Sequence, residues 1–230
     1  MNNEKYILDA VASFEKLLRQ QYDRSIAMKS AKAPKDFASL DTITIGLVGG
    51  DGIGPIIMTE AKRLLETLLL DEVKSGKVIL KDIEGLTLEN RMEKGQAVPT
   101  EVLESLKSCD VILKGPTTTP RGGTMESANV TLRRELDLYA NVRPVSVPEE
   151  GIDWMFYREN TEGEYVLGSS GIEVPGQLAM DFKVTTDEGT KRIARAAFEY
   201  AKNNANVLRV AMADPMDMFA MDDITIITNL

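Results

Sequence analysis

Five arginines, Arg121, Arg133, Arg134, Arg143 and Arg158, fall close together in a chain that is otherwise strongly acidic. A guanidinium stays charged at any working pH and grips a carboxylate through parallel N–H bonds, so such a group can build a local anion site. The same arginines could instead pair on the surface with Glu135, Asp137 and Glu159. Other polar groups lie near them in the chain. Thr117-Thr118-Thr119 follows an apolar run directly, Ser127 and Asn129 stand two apart, and Arg133 comes four beyond Asn129. Tyr165, in Asn160-Thr161-Glu162-Gly163-Glu164-Tyr165, is either a proton-donating phenol or a half-buried core ring. Asp214 and Asp217 are either oxygen ligands for a hard divalent cation or solvated turn residues.

What the chain lacks narrows the chemistry further. It has 230 residues, with 27 Lys and Arg against 36 Asp and Glu, a formal charge of -9. So acidic a chain is not expected to track a nucleic-acid backbone, which needs a basic face. There is no histidine, which excludes His-based triads, imidazole zinc sites and His proton carriers. The one cysteine, Cys109, has no intrachain partner and no base in sequence reach. It reads as a small apolar filler in a protein of a reducing compartment. The first residues carry no apolar signal core, and no run approaches the ~20 apolar residues of a membrane span. A cytoplasmic protein with no membrane partner is the expectation.

The elements that must position these groups follow from periodicity. Ile7, Leu8, Val11, Phe14, Leu17, Leu18 and Tyr22 recur at helical spacing, predicting an amphipathic helix from about Glu4 to Ala27. A linker follows, with Pro34 stopping the helix. Ile43 to Val48 is a β-branched strand, Ile56 to Leu70 a helix behind Pro55, and Val78 to Ile83 a second strand. Thr100 to Ser108 is a helix and Asp110 to Lys114 a third strand. This alternation predicts a parallel α/β layer. After Arg143-Pro144 the pattern changes: a strand at Trp154 to Tyr157, hairpins in Tyr165 to Gly176, and a helix over Thr186 to Asn203. The Gly50-x-Gly52-x-Gly54 turn between strand and helix departs from the G-x-G-x-x-G dinucleotide fingerprint. Pro55 occupies the slot after Gly54, and the acids Asp82 and Glu84 arrive late for ribose binding. A tight turn beside a ligand fits better.

Three segments together resemble the β-decarboxylating dehydrogenases, the isocitrate/isopropylmalate dehydrogenase family. They are Gly49-Gly50-Asp51-Gly52-Ile53-Gly54-Pro55, the block from Thr118-Thr119-Pro120 through Ser127-x-Asn129-x-x-x-Arg133 to Asn141-Val142-Arg143-Pro144, and Tyr157-Arg158-Glu159-Asn160-Thr161-Glu162-Gly163-Glu164-Tyr165. The resemblance runs from about Ile43 to Tyr200. It implies a two-lobe, non-Rossmann α/β fold, with residues 1–42 an N-terminal helical extension and linker. Residues 43–138 would then be part of the large domain, and 139–230 part of the small domain with its dimer-forming clasp. By motif, Arg133, Arg143 and Arg158 would hold the substrate carboxylates. Ser127 and Asn129 would meet the third carboxylate that marks isocitrate, since a carboxylate cannot be desolvated against apolar side chains. Thr119 would sit near substrate and nicotinamide, Asn206 would touch the NAD or NADP, and Tyr165 would protonate the enolate. Asp214 resembles a metal aspartate given across the dimer interface, to a Mg2+ or Mn2+ that stabilises the enolate.

The expected reaction is therefore oxidative decarboxylation of isocitrate, a tricarboxylate of the tricarboxylic acid cycle, by a homodimer or larger assembly. Homoisocitrate and isopropylmalate are the neighbouring substrates, and Glu126, an acid beside Ser127, keeps them in view. Two departures favour a non-catalytic binding or regulatory subunit instead. The family's lysine before a sequence like Ala205-Asn206-Val207 is missing, and Asp223 to Leu230 resembles a strand that leads to metal aspartates not present in the chain. The chain as given is expected to be incomplete at its C-terminus.

Overall fold

The apolar periodicity near the N-terminus becomes α1, Asn3–Lys29, in a computed structural model describing residues 3–30, 35–120, 125–163, 171–174, 176–204, 207–212 and 224–229. The chain divides into two units, residues 33–132 and residues 1–32 with 133–230.

In the first unit, β1 (Ile43–Val48), β2 (Val78–Asp82) and β3 (Val111–Lys114) form a parallel sheet in the order β2-β1-β3. Ile45 stands in register with Leu80 on one side and Val111 on the other. The end of the central strand is deeply buried, Leu47 and Val48 above all, as expected where helices cover both faces. The crossover after β1 is α2 (Gly54–Leu68) with the short α3 (Leu70–Lys74). Pro55 stands in the first turn of α2, where its missing N–H costs no hydrogen bond. The crossover after β2 holds α4 (Leu88–Lys94) and α5 (Thr100–Lys107). Thr87 caps the start of α4 through Asn90 N–H, and Gly95, at φ 62°, closes it in the left-handed conformation. Val102 and Leu106 of α5 and the Cys109 side chain fill the core. The next helix, α6 (Ala128–Glu135), begins in this unit and ends in the other.

In the second unit, β4 (Ala140–Val147) and β5 (Ile152–Glu159) make an antiparallel hairpin with Asn141 opposite Arg158 and Arg143 opposite Phe156. A short hairpin pairs β6 (Ile172–Val174) with β7 (Leu178–Met180). Then comes α7 (Asp187–Asn204), followed by β8 (Val207–Met212) and β9 (Ile224–Asn229). The larger sheet has the order β4-β5-β9-β8. Its core lies on one face, where Tyr157 packs against Ile193 and Ala197 of α7, flanked by Tyr139, Met155 and Tyr200. Burial pushes the Tyr157 phenol above its ordinary pKa, with the Tyr200 and Tyr139 phenols adding to the effect.

Candidate functional site

Successive residues of a strand point to opposite faces, and β5 uses both. Tyr157 faces the α7 core, which turns Phe156 and Arg158 to the other side. The register then sets Arg158 beside Asn141, and Phe156 beside Arg143. These four residues and Val145 line one cleft of about 260 Å³. Arg143 Nε donates to Asn141 Oδ1 at 2.9 Å, which fixes the guanidinium beside the strand. Two guanidiniums, one amide and an aromatic wall are the chemistry of a site for a small organic anion.

Of the acids named as possible surface partners of the five arginines, Asp137 and Glu159 are met by a different arginine, and Glu135 by one of the five. Arg192 of α7, which the sequence did not single out, donates to both Asp137 oxygens at 2.9 Å and to Glu159 Oε1 at 3.2 Å. Its guanidinium also lies over the Tyr139 ring, 4.5 Å from the centroid. Glu135 is met by Arg134 at 3.6 Å.

Directly after Arg158 the chain turns through four buried residues, Glu159 to Glu162. The Glu159 carboxylate accepts from Thr161 N–H at 2.6 Å, Glu162 N–H at 2.6 Å and the Thr161 hydroxyl at 2.7 Å. The Glu162 carboxylate caps the approach to α7. It accepts Thr186 N–H at 2.9 Å and the Thr186 hydroxyl at 2.6 Å, and that hydroxyl oxygen in turn accepts Gly189 N–H at 3.0 Å. A negative charge there also faces the positive end of the helix dipole.

The first unit contributes the loop after β3. Asp51 organises it: Oδ2 accepts Thr118 N–H at 2.7 Å, Oδ1 accepts Leu88 N–H at 2.6 Å, and Asp51 N–H donates to Pro116 O at 2.8 Å. Beneath lies Arg91, wholly buried, donating from Nε to Ala97 O and from Nη1 to Thr118 O, both at 2.8 Å. Its Nη1 also stands 3.8 Å from Asp51 Oδ2. Burial pushes the Arg91 guanidinium below its ordinary pKa, and the Asp51 charge works the other way. The glycines serve backbone contact. Gly50 has φ 72°, and a Cβ there would strike Pro116 O, while one on Gly115 would strike Gly49 O. Neither Asp51 nor Arg91 announces this role in sequence; an arginine among the polar residues of a short helix looks like a solvated face.

Of the residues expected in the site, Thr119 is exposed after β3, Ser127 precedes α6 and gives its carbonyl to Thr131 N–H, and Asn129 Oδ1 accepts the Thr117 hydroxyl at 3.3 Å. Glu126 Oε2 accepts the Thr131 hydroxyl at 2.7 Å. Arg133 lies on α6, its carbonyl accepting Leu138 N–H at 2.8 Å. Arg143 and Arg158 are brought together. Arg121, Tyr165, Asn206, Asp214 and Asp217 lie outside the described residues. A second cleft of about 480 Å³ lies at the ends of β1 and β2, lined by Gly49, Met58, Lys62, Asp82 and Glu84 among others. Lys62 Nζ binds Asp82 there at 2.6 Å, so this acid has a local partner. Among the described residues no three Asp, Glu or Cys side chains converge to hold a metal ion, and no helix is long and apolar enough to cross a membrane.

Residues 44–221 match the family model described as isocitrate/isopropylmalate dehydrogenase. The isocitrate dehydrogenase [NADP] of Staphylococcus epidermidis is 34% identical over 191 residues, covering 70% of this chain and 45% of that protein. The mitochondrial isocitrate dehydrogenase [NAD] regulatory subunit 3 of Arabidopsis thaliana is 39% identical over 186 residues, covering 76% and 46%. The apo crystal structure of a β-decarboxylating dehydrogenase from Thermococcus kodakarensis aligns with a TM-score of 0.54 at 34% identity, covering 70% of this chain and 46% of that one. This chain thus spans a little under half the length of these relatives. With the order of the motifs, the parallel sheet behind Gly49–Pro55 and the paired arginines of the hairpin all in agreement, the chain belongs to the isocitrate/isopropylmalate dehydrogenase family.

Proposed function

We propose that this chain carries the acid-gripping part of an NAD- or NADP-dependent dehydrogenase that oxidises and decarboxylates isocitrate. The observation that carries the reading is the pairing of Arg143 and Arg158 in one cleft with Asn141 between them. Two guanidiniums orient a polycarboxylate and keep its charges desolvated in a defined pose. Arg133 completes the grip on the carboxylates, with Ser127 and Asn129 meeting the third, and Thr119 stands beside the nicotinamide. The Glu126 carboxylate accepts the Thr131 hydroxyl, while the hydroxyl of Ser127 and the amide of Asn129 suit a third carboxylate better than an apolar tail. Tyr165 returns a proton to the enolate left after carbon dioxide departs, and Asn206 contacts the nucleotide. NAD or NADP, held in part by Asn206 and Thr119, would supply the hydride acceptor. Asp214 is the chain's own candidate ligand for Mg2+ or Mn2+, which would supply charge stabilisation to the enolate; among the described residues no three acidic side chains converge on a cation. Residues 43–138 act as part of the large domain and residues 139–230 as part of the small one, in a homodimer or larger assembly of the cytoplasm.

A second reading rests on one finding. A relative 39% identical carries the name of a regulatory subunit, so the cleft could bind the acid without turning it over. Calorimetric titration with isocitrate and with 3-isopropylmalate tests both. Isocitrate is expected to bind at least tenfold more tightly, and Arg143→Ala or Arg158→Ala each to weaken it tenfold or more, the loss of one charged hydrogen bond. Nucleotide reduction on mixing then separates enzyme from regulatory subunit. Equal affinity for both acids, or variants that bind as wild type, would overturn the assignment.

A further inference from the structure

The N-terminal helix lies outside the residues that match the family, yet it reaches into the turn that follows Arg158. Side chains of α1 fasten it to its own unit. Phe14 meets Phe182 with ring centroids 5.2 Å apart, Met28 Sδ stands 4.0 Å from the Thr186 hydroxyl, and Arg24 lies between them along the helix. Arg24 Nη1 donates to Glu162 Oε1 and Nη2 to Thr161 Oγ1, both at 3.1 Å. The Thr161 hydroxyl also accepts Arg192 Nη2 at 2.6 Å while donating to Glu159. Its capacity is then full: two bonds accepted and one donated.

Charge makes Arg24 more than an accessory. Glu159 and Glu162 are both buried, three residues apart, each with a side chain 5% exposed. Arg192 serves Glu159 and shares itself with Asp137. Among the described residues, the ion pair recorded for Glu162 is the one with Arg24. A buried carboxylate deprived of its cation is costly, so the turn depends on the helix to hold Glu162 in place. Arg24 is itself largely covered, its side chain 19% exposed.

We infer that Arg24 is a positioning residue, through which the N-terminal helix locks the Glu159–Gly163 turn and so sets the alignment of Arg158, the residue directly before it. The inference rests on the function proposed above for Arg158. Gly163 adds a further anchor, exchanging backbone hydrogen bonds with Val184 at 2.8 and 3.1 Å. A turn held at both ends keeps the guanidinium that precedes it at a repeatable place; one held at a single end does not.

The test uses the full chain with Arg24→Ala and Arg24→Lys, and Glu162→Gln as a second route should the alanine variant fail to fold. Amide hydrogen exchange at Thr161, Glu162 and Gly163 is expected to quicken about tenfold or more in Arg24→Ala and in Glu162→Gln, with Ile193 and Ala197 unchanged. Arg24→Lys, which keeps a charge in reach of Glu162, restores most of the protection. Affinity for isocitrate, read by calorimetry, falls about tenfold in Arg24→Ala and returns in Arg24→Lys, because Arg158 lines the cleft at the start of the turn. Unchanged exchange across the turn overturns the lock, and faster exchange with unchanged affinity overturns the positioning role. If the wild type does not bind isocitrate, the functional reading fails separately. Exchange at the Arg158 amide then replaces affinity as the readout, and exchange there as in wild type overturns the role.

Discussion

Replacing Arg91 by Ala should unfold the first unit far more easily than the loss of an ordinary helix residue. Its guanidinium is wholly buried and makes two hydrogen bonds of 2.8 Å to the carbonyls of Ala97 and Thr118. Each charged hydrogen bond removed from a buried acceptor costs about 1.5–3 kcal/mol. The Asp51 carboxylate is also left without its cation, and breaking a buried pair costs about 3–5 kcal/mol in all. Asp51 keeps two backbone N–H donors at 2.6 and 2.7 Å, so the lower end applies, about 3 kcal/mol. With a urea dependence of about 2 kcal/mol/M, the midpoint should fall by roughly 1.5 M. Circular dichroism during urea titration reads this directly, and hydrogen exchange at the Thr118 amide reads the loosening of the loop. Arg91→Lys should recover about half, since one ammonium cannot serve both carbonyls in the fork geometry. No replacement at Asp51 should rescue it: both oxygens accept backbone N–H groups, and Asn would aim an NH2 at one of them. A midpoint within about 0.5 M of wild type, about 1 kcal/mol at the same slope, would refute the reasoning.

Two further changes test separate parts of the fold. Gly189→Ala sets helix propensity, which favours Ala by about 1 kcal/mol, against a Cβ that would strike the Glu162 carboxylate. Sterics should win because Glu162 is buried and cannot swing away, so the melting temperature should fall; a rise would show that the turn yields. Asp110 is held below its ordinary value of 3.8 by the Lys35 ammonium at 2.5 Å, with Thr44 N–H donating at 2.9 Å. A depressed carboxylate stabilises the fold above its unfolded pKa and loses that contribution as pH falls through the folded one. Wild type should therefore melt above Asp110→Asn at neutral pH, with the gap closing only below about pH 3.8. A gap that persists unchanged at more acidic pH would exclude the ion pair as its source.

The parts legible in sequence were those governed by local periodicity. α1, the three parallel strands, α5 and α7 lie where their apolar spacing put them, within a few residues. The four residues of α4 that could have signalled a helix, Leu88, Arg91, Met92 and Lys94, lack an apolar stripe, because the residue buried there is an arginine. β4 escaped for a related reason. Its residues from Val142 to Val147 are exposed, so the alternation that marks a half-buried strand has no burial to follow. The convergence of Arg143 and Arg158 depends on hairpin register, and no spacing along the chain encodes it. Arg192 was missed because its partners, Asp137 and Glu159, are brought to it only by the fold.

The segment Tyr157-Arg158-Glu159-Asn160-Thr161-Glu162 joins core and site so closely that neither can change alone. Tyr157 fixes β5 on α7, Arg158 takes the opposite face by strand alternation, and Glu159 ends the strand by turning its carboxylate back onto the next two amides. Shifting the register of β5 by one residue would send Arg158 into the α7 core and Tyr157 into the cleft. Burial of an unpaired guanidinium there would be prohibitive. The apolar contact of Tyr157 with Ile193 and Ala197 therefore selects which arginine faces the cleft, and the chemistry of the anion site is set by packing on the side of the sheet that never meets the anion.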